Sequence, residues 1–315
     1  MILCVGESLI DMLPQPDGSY RPLPGGSVYN TALALGRLGV PTGYLWPLGN
    51  DGFAEMLLAR LQAAGVATDL CPRPDLPTSL AFVSLTGAEA RYVFYTQGTA
   101  GGRLDAETLP DLPGNTDALF IGGISLAQDA TAAGVEALVR RLPADIPVIL
   151  DANIRPPAAT DGAAYRQRLQ RLLARADLVK LSVEDLHWLM PGTDPDAAAA
   201  TILGQGARAV LLTRGAAGAS AYGPGGGRVD CSAVPTVAAD SIGAGDTFNA
   251  GVLAALHDLG VLGRGGLARL GPGILGRALS QGCHAAAIAV SRPGADPPWR
   301  HELAAAMTAG GATAP

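Results

Sequence analysis

The chain reads as an α/β fold: an open, mostly parallel sheet with helices on both faces, carrying a small β-sheet lid. Three observations point there. Strand-like and helix-like hydrophobic patterns alternate along most of the 315 residues, as a parallel sheet covered on both faces requires. The units are too uneven to make the eight repeats of a closed barrel. Two segments in the first third of the chain break the alternation and read as a separate piece of β-structure.

Residues 2–9 read as a buried strand. Val28, Ala32, Leu35 and Leu38 then recur at helical spacing, and Gly39 stands where that helix would stop. Residues 43–48 return to strand. Asp51 can cap a helix with Phe53, Leu57, Leu61 and Ala64 on one face and Gly65 at its end. Further strands are predicted at 118–122, 148–151, 178–181 and 209–213, with helices between them. Residues 223–227 look like a hairpin turn. The first interruption is the Pro- and Gly-rich stretch 11–25. The second is a pair of consecutive strands, 79–86 and 91–96, joined by Gly87-Ala88-Glu89. Together they predict a lid from about 12–25 and 79–103 inserted in a single domain, 1–315. Lids of this kind exclude water from a closed site; the alternative is an insertion without a role there.

Hydrophobic residues are 48% of the chain and charged residues only 16%, which suits a compact enzyme with a sizeable core. The net charge of −6 offers nothing to nucleic acid or to an anionic membrane. Any bound phosphate must therefore be held by local geometry. Cys4, Cys71, Cys231 and Cys283 are not at metal-ligand spacing and read as buried free thiols of a reducing compartment. The N-terminus has no basic leader and no apolar run is long enough to span a membrane, so a cytoplasmic protein is expected. One lysine, Lys180, stands among 21 arginines; biased codon usage accounts for the scarcity but not for the survivor.

The segment from Asp240 to Leu253 carries the chemistry. Phe248, Val252, Leu256 and Leu259 share a helical face, so a helix starts near Gly245. The free N–H groups of Gly243, Ala244 and Gly245 would converge at its positive end and form an anion hole. Asp246, in the first turn, could accept a hydroxyl proton there, or could simply cap the helix. No G-x-x-x-x-G-K-[ST] loop and no dinucleotide fingerprint after the first strand occurs, which excludes those two kinds of nucleotide site.

This segment resembles the second signature of the ribokinase-like (PfkB) carbohydrate kinases. The first signature is matched by Gly25-Gly26-Ser-Val-Tyr-Asn30 through Gly39, followed by Leu48-Gly49-Asn50-Asp51-Gly52-Phe53. The resemblance extends from Gly6-Glu7 to Arg292-Pro293-Gly294-Ala295. It implies Asp246 as catalytic base, Gly243, Ala244 and Gly245 as anion hole, and Asp11, Gly25, Gly26 and Asn30 as sugar contacts. Asp151-Ala-Asn153-Ile-Arg155 resembles the D-x-N-x-R segment of fructokinase-like members, with Arg155 meeting sugar or phosphate oxygens. On the ATP side it implies Lys180, Ser182, Thr213, Gly215 and Gly218, with Cys283 near the base where relatives carry asparagine. The family's N-x-x-E motif, which positions Mg2+ through water, appears as Ser182-Val-Glu184-Asp185, so Asp185 or Glu184 takes the acidic role. Asp240 resembles a ligand of a monovalent cation such as K+; its other reading is a cap on the turn.

The opening Gly6-Glu7-Ser-Leu-Ile-Asp11 and the segment Phe94-Tyr95-Thr-Gln-Gly-Thr-Ala100 resemble bacterial fructokinases most. The resemblance implies an ATP- and Mg2+-dependent sugar kinase, with fructose ranked before 2-keto-3-deoxygluconate and then ribose or a nucleoside. A homodimer through the lid is a further expectation. A relative that binds sugar without phosphorylating it is the non-enzyme alternative, and it has no need of the base.

Overall fold

A computed structural model describes residues 1–86, 89–263 and 265–311. The strands among them are β1 (Ile2–Val5), β2 (Leu9–Pro14), β3 (Tyr20–Gly25), β4 (Thr42–Leu45), β5 (Leu80–Thr86), β6 (Glu89–Tyr95), β7 (Ala118–Gly122), β8 (Val148–Asp151), β9 (Leu178–Ser182), β10 (Ala209–Thr213), β11 (Ala219–Tyr222) and β12 (Arg228–Cys231). The helices are α1 (Ser27–Arg37), α2 (Gly52–Ala63), α3 (Asp129–Arg141), α4 (Gly162–Leu173), α5 (Val183–Leu189), α6 (Pro195–Gly204), α7 (Ala244–Asp258), α8 (Pro272–Val290) and α9 (Arg300–Gly311).

Eight strands form the main sheet in the order β12-β11-β10-β9-β8-β7-β1-β4. Pairing is parallel from β10 to β4, and β11 and β12 add an antiparallel edge. Every residue of β1, β4, β7 and β8 is buried. Burial on both faces is why these strands are mostly apolar and show no polar alternation. The chain leaves β1 toward β4 on one side and later returns to β7 on the other. That reversal leaves a crevice at the carboxyl ends of β1 and β7, where open α/β sheets bind ligands.

The second sheet, β3-β2-β5-β6, stands beside that crevice. Its register sets Asp11 level with Leu23, Ala81 and Phe94 across the sheet. Asp11, Tyr92 and Phe94 face the crevice. The opposite face carries Tyr20, Phe82 and Tyr95, with Phe82 in edge-to-face contact with Tyr20 (5.1 Å) and Tyr95 (5.5 Å).

The sequence-based boundaries at 118–122, 148–151 and 209–213 coincide with β7, β8 and β10. The expected strand 2–9 is instead two strands in two sheets. After Val5 the Glu7 carboxylate takes the backbone amides of Ser27 and Ser125, and the chain turns out of the main sheet. The strand expected over 43–48 ends at Leu45, because Leu48 donates its amide to Pro72 rather than to a neighbouring strand. The Pro- and Gly-rich 11–25 is mostly strand, since Pro22 and Pro24 fall on β3, which pairs on one side only, Pro14 is the last residue of β2 and Pro16 lies in the turn between them. The hairpin closes tighter than expected, with Thr86 opposite Glu89; Gly87 and Ala88 of its turn lie outside the described residues. Leu259 is the C-cap of α7 rather than a member of its apolar face.

Candidate active site

The site is built at the start of α7. Asp240 accepts the amide of Ile242 with Oδ1 (3.0 Å) and that of Gly294 with Oδ2 (2.9 Å), which ties the turn to the loop after α8. This is the capping arrangement; a monovalent cation would have to share those oxygens. Gly243 takes the N-cap position with φ +74°, the left-handed region that favours glycine. The Ala244 amide donates to Ser241 O at 3.3 Å. The amides of Gly245 and Asp246 have no carbonyl partner among the described residues. The Gly243 amide is likewise without a carbonyl partner among the described residues, so within the anion hole expected from 243–245 only Ala244 is engaged, and Asp246 adds a further free donor. A Cβ on Gly245 would lie 3.4 Å from Lys180 Nζ, so the lone lysine stands beside these amides.

Asp246 is 7% exposed. Ser27 Oγ donates to its Oδ1 at 2.7 Å and Asn30 Nδ2 to its Oδ2 at 2.9 Å. Both donors come from the first turn of α1, one helical repeat apart, which packs against α7. Burial pushes the Asp246 carboxyl up to about 6, against the pull of these two hydrogen bonds. That value suits a base working near neutral pH. Two more carboxyls face the same space. Glu7 and Asp11 are both pushed up to about 7, by burial first and by the charge of Asp246 second among the raising causes.

Asp11 sits within a lid strand, β2, and not at the end of a main-sheet strand. Gly25 makes room for Asp11: a Cβ there would lie 2.1 Å from Asp11 Oδ2. Gly26 lines the crevice itself.

Behind the hole, Lys180 Nζ lies 3.2 Å from both oxygens of Asp151. Burial works against the ammonium, but Asp151 and Asp185 outweigh it and hold it above the ordinary lysine value. Asp151 also accepts Asn249 Nδ2 at 2.6 Å and the amide of Asn153 at 3.1 Å. Arg155 is exposed at the crevice, donates to Ile154 O at 3.0 Å, and has no carboxylate partner among the described residues. Ser182 and Asp185 close a capping box at the start of α5. Asp185 spends Oδ2 on the Ser182 amide (2.8 Å) and Oδ1 on the Ile154 amide (2.6 Å). Glu184 is exposed at the crevice with no partner among the described residues. Of the two acids, Glu184 is the one free to meet a hydrated cation. Among the described residues no cluster of three or more His, Cys, Asp or Glu could hold a metal by itself, so a divalent ion here needs phosphate oxygens and water as its other ligands.

Two clefts meet at the hole. One, of about 530 Å³, is polar and is lined by Glu7, Asp11, Gly26, Ser27, Asn30, Arg155, Lys180, Ser182, Glu184, Asp185 and Asp246. The other, of about 560 Å³, is walled by Gly218, Val234, Pro235, Ala244, Phe248, Cys283 and Val290. Thr213, Gly215, Ser241 and Gly245 line both. A hydroxylated molecule suits the first and a flat heterocycle the second. Cys231 departs from the expectation of a buried thiol: it is half-buried, and a hydrogen bond with Cys283 pulls it down to about 7. Sequence reading missed Ser27, Asn249 and the ion pair of Asp151. The one signal for Ser27 was its spacing of three from Asn30.

A buried carboxylate at a helix N-terminus, free amides and an ammonium beside it, and two unlike clefts meeting there suit a phosphotransferase with an alcohol acceptor. The sequence comparisons place it further. The model of the pfkB family of carbohydrate kinases matches residues 1–302. The chain is 42% identical to a fructokinase of Rhizobium leguminosarum bv. trifolii over 260 residues, which is 81% of this chain and 79% of that one. It is 32% identical to a fructokinase of Klebsiella pneumoniae over 96% of this chain and 97% of that one. The crystal structure of fructokinase with bound ATP from Xylella fastidiosa superposes with a TM-score of 0.88 at 28% identity, covering 98% of each chain. This chain belongs to the pfkB family of carbohydrate kinases. Among the described residues, no helix is long and apolar enough to cross a membrane.

Proposed function

We propose that this carbohydrate kinase phosphorylates D-fructose, with Asp246 as base. The observation that carries it is the placing of the Asp246 carboxylate beside the free amides of Gly245 and Asp246, where the polar and apolar clefts join. Sugar would lie in the polar cleft under the lid. Asp11, an acceptor-only carboxylate when ionised, takes hydrogen bonds from its hydroxyls. Asp246 removes the proton of the attacking hydroxyl, the oxygen bonds to the γ-phosphorus, and the bond to the β–γ bridging oxygen breaks. The free amides and Lys180 meet the charge on the transferring group, and Arg155 reaches oxygens at the cleft mouth. The base of ATP would rest between Val234, Phe248 and Cys283, with Thr213, Gly215 and Gly218 bordering the nucleotide. Mg2+ arriving with ATP would neutralise phosphate charge, with Glu184 touching its water and Asp185 holding the loop. We assign Asp240 to the turn.

Charge decides the ranking of sugars. Glu7, Asp11 and Asp246 face the polar cleft, whereas its cations are Lys180, committed to Asp151, and Arg155. Near neutral pH an anionic sugar would meet the Asp246 carboxylate and the partly ionised Glu7 and Asp11 against one free guanidinium. That unpaired Arg155 is what favours the second reading, 2-keto-3-deoxygluconate. ADP release measured across neutral and anionic sugars tests both: fructose should have the higher kcat/KM. Asp11→Ala should raise the KM for sugar and leave that for ATP nearly unchanged. Efficient turnover of the keto-acid with fructose nearly inert would reverse the ranking.

The chain would work as one unit with a closing lid. The lid's outer face leaves Tyr20 45%, Val93 52% and Tyr95 57% exposed. We propose that a second copy covers it; a monomer by sedimentation at micromolar concentration would refute this.

A further inference from the structure

Ser27 is the first residue of α1. Its hydroxyl caps nothing: the N-cap is Gly26, and the helix start has no side-chain cap. A hydroxyl has one proton to give, and its surroundings fix where that proton goes. Asn153 Nδ2 donates to Ser27 Oγ at 2.5 Å, and Ser27 Oγ donates in turn to Asp246 Oδ1 at 2.7 Å. Asn30, on the same face of α1, holds the other oxygen of Asp246 at 2.9 Å.

Asn153 is itself held in an unusual way. Among the described residues it is the one non-glycine with positive φ, at +33°. Backbone of that kind persists where the surroundings over-determine it, and it recurs at functional sites. What holds it is its amide, bonded to Asp151 Oδ1, and Asp151 is paired with Lys180. A continuous polar line thus runs from Lys180 through Asp151, Asn153 and Ser27 to Asp246.

We propose that Ser27 is a positioning residue for phosphoryl transfer: its hydroxyl, committed by Asn153, holds the Asp246 carboxylate in the orientation that receives the acceptor's proton. The inference rests on Asp246 being the base. Ser27 keeps its own proton throughout; the proton that moves is the sugar's. The hydrogen bond also favours the ionised carboxylate. Charged groups facing Asp246 are the Glu7, Asp11 and Asp151 carboxylates and the Lys180 ammonium. Among the described residues, Ser27 and Asn30 are the side chains that donate to its carboxylate, while Thr31 reaches its backbone carbonyl.

The test is the pH dependence of kcat at saturating sugar and ATP for Ser27→Ala, Ser27→Thr, Asn153→Ala and Asp246→Asn. Ser27→Ala should lower kcat by roughly 10- to 100-fold, the worth of a hydrogen bond to a charged group. It should also move the acid limb up by about one pH unit, with the KM for ATP unchanged. Ser27→Thr, which keeps the hydroxyl, should restore the limb. Asn153→Ala should move it in the same direction by less. The proposal is overturned by a wild-type acid limb in Ser27→Ala, or by a Thr variant that behaves like the Ala variant. If Asp246→Asn turns over normally, the base assignment fails and this inference falls with it. If Asp246→Asn is inactive while the limb of Ser27→Ala is unmoved, the positioning role alone fails.

Discussion

Replacing Asp246 by asparagine should make the protein more stable and nearly inactive. The carboxyl is pushed from an ordinary value near 3.8 up to about 6. At pH 8 that gap corresponds to about 3 kcal/mol of instability, because the fold favours the neutral form and the solvent the ionised one. The sign follows from the direction of the displacement: the cost is absent below pH 4, grows between pH 4 and 6, and is complete above 6. Losing a negative charge at a helix N-terminus costs about 0.3–1 kcal/mol, so the relief of burial wins. The new amide can be satisfied. Asn30 Oδ1 has no partner, and a rotation of the Asn30 side chain would turn that oxygen to accept from it. Thermal unfolding of the variant without ligands should therefore show a higher melting temperature at pH 8 and none of the gain at pH 4. Meanwhile kcat should fall by roughly 10²–10⁴-fold. In the native enzyme, kcat at pH 5 should be about one-tenth of that at pH 7.5, as the base becomes protonated. A variant that melts lower at pH 8, or that keeps more than a tenth of the activity, would refute the reasoning.

Lys180→Met should cost roughly 3–5 kcal/mol in urea unfolding, since it strands the buried Asp151 charge. Adding Asp151→Asn should return most of that stability without returning turnover; equal recovery of both would show the lysine to be purely structural. Ala244→Val puts two methyl groups against the apolar cleft and should lower kcat/KM for ATP by roughly 5- to 150-fold, with the KM for sugar unmoved. Equal losses for both substrates would mark the turn as structural only. Amides of β5 and β6 should exchange more slowly in saturating fructose, and unchanged exchange would mean that the lid does not close over the sugar.

The parallel sheet was legible because its strands are buried on both faces and mostly apolar, with Lys180 the one charged residue inside a strand. The lid was legible as an exception to alternation, although β2 was hidden: with β1 it forms one apolar run, and only Glu7 reveals the break, by taking two backbone amides from distant segments. Asp246 and the glycine turn stood out because a helix start leaves local marks. Which amides are free did not, since it depends on Ser241 reaching Ala244. The Glu184–Asp185 ambiguity was beyond the sequence for a similar reason: the Ile154 amide that occupies Asp185 lies 31 residues away. That Gly25 also leaves room for Asp11, which sits diagonally across the β2–β3 pair, depends on the register and was not legible.

The lone lysine has a consequence outside the reaction. Lys180 is 5% exposed, ion-paired, and the sole ε-amine in the chain. Reagents and enzymes that acylate or conjugate lysine thus find no accessible side-chain amine on the folded protein, and the α-amino group of Met1 is held by Asp117. Lysine-based immobilisation would report unfolding instead of surface geometry. An amine that becomes reactive only when the site comes apart makes the chain its own indicator of an intact active centre.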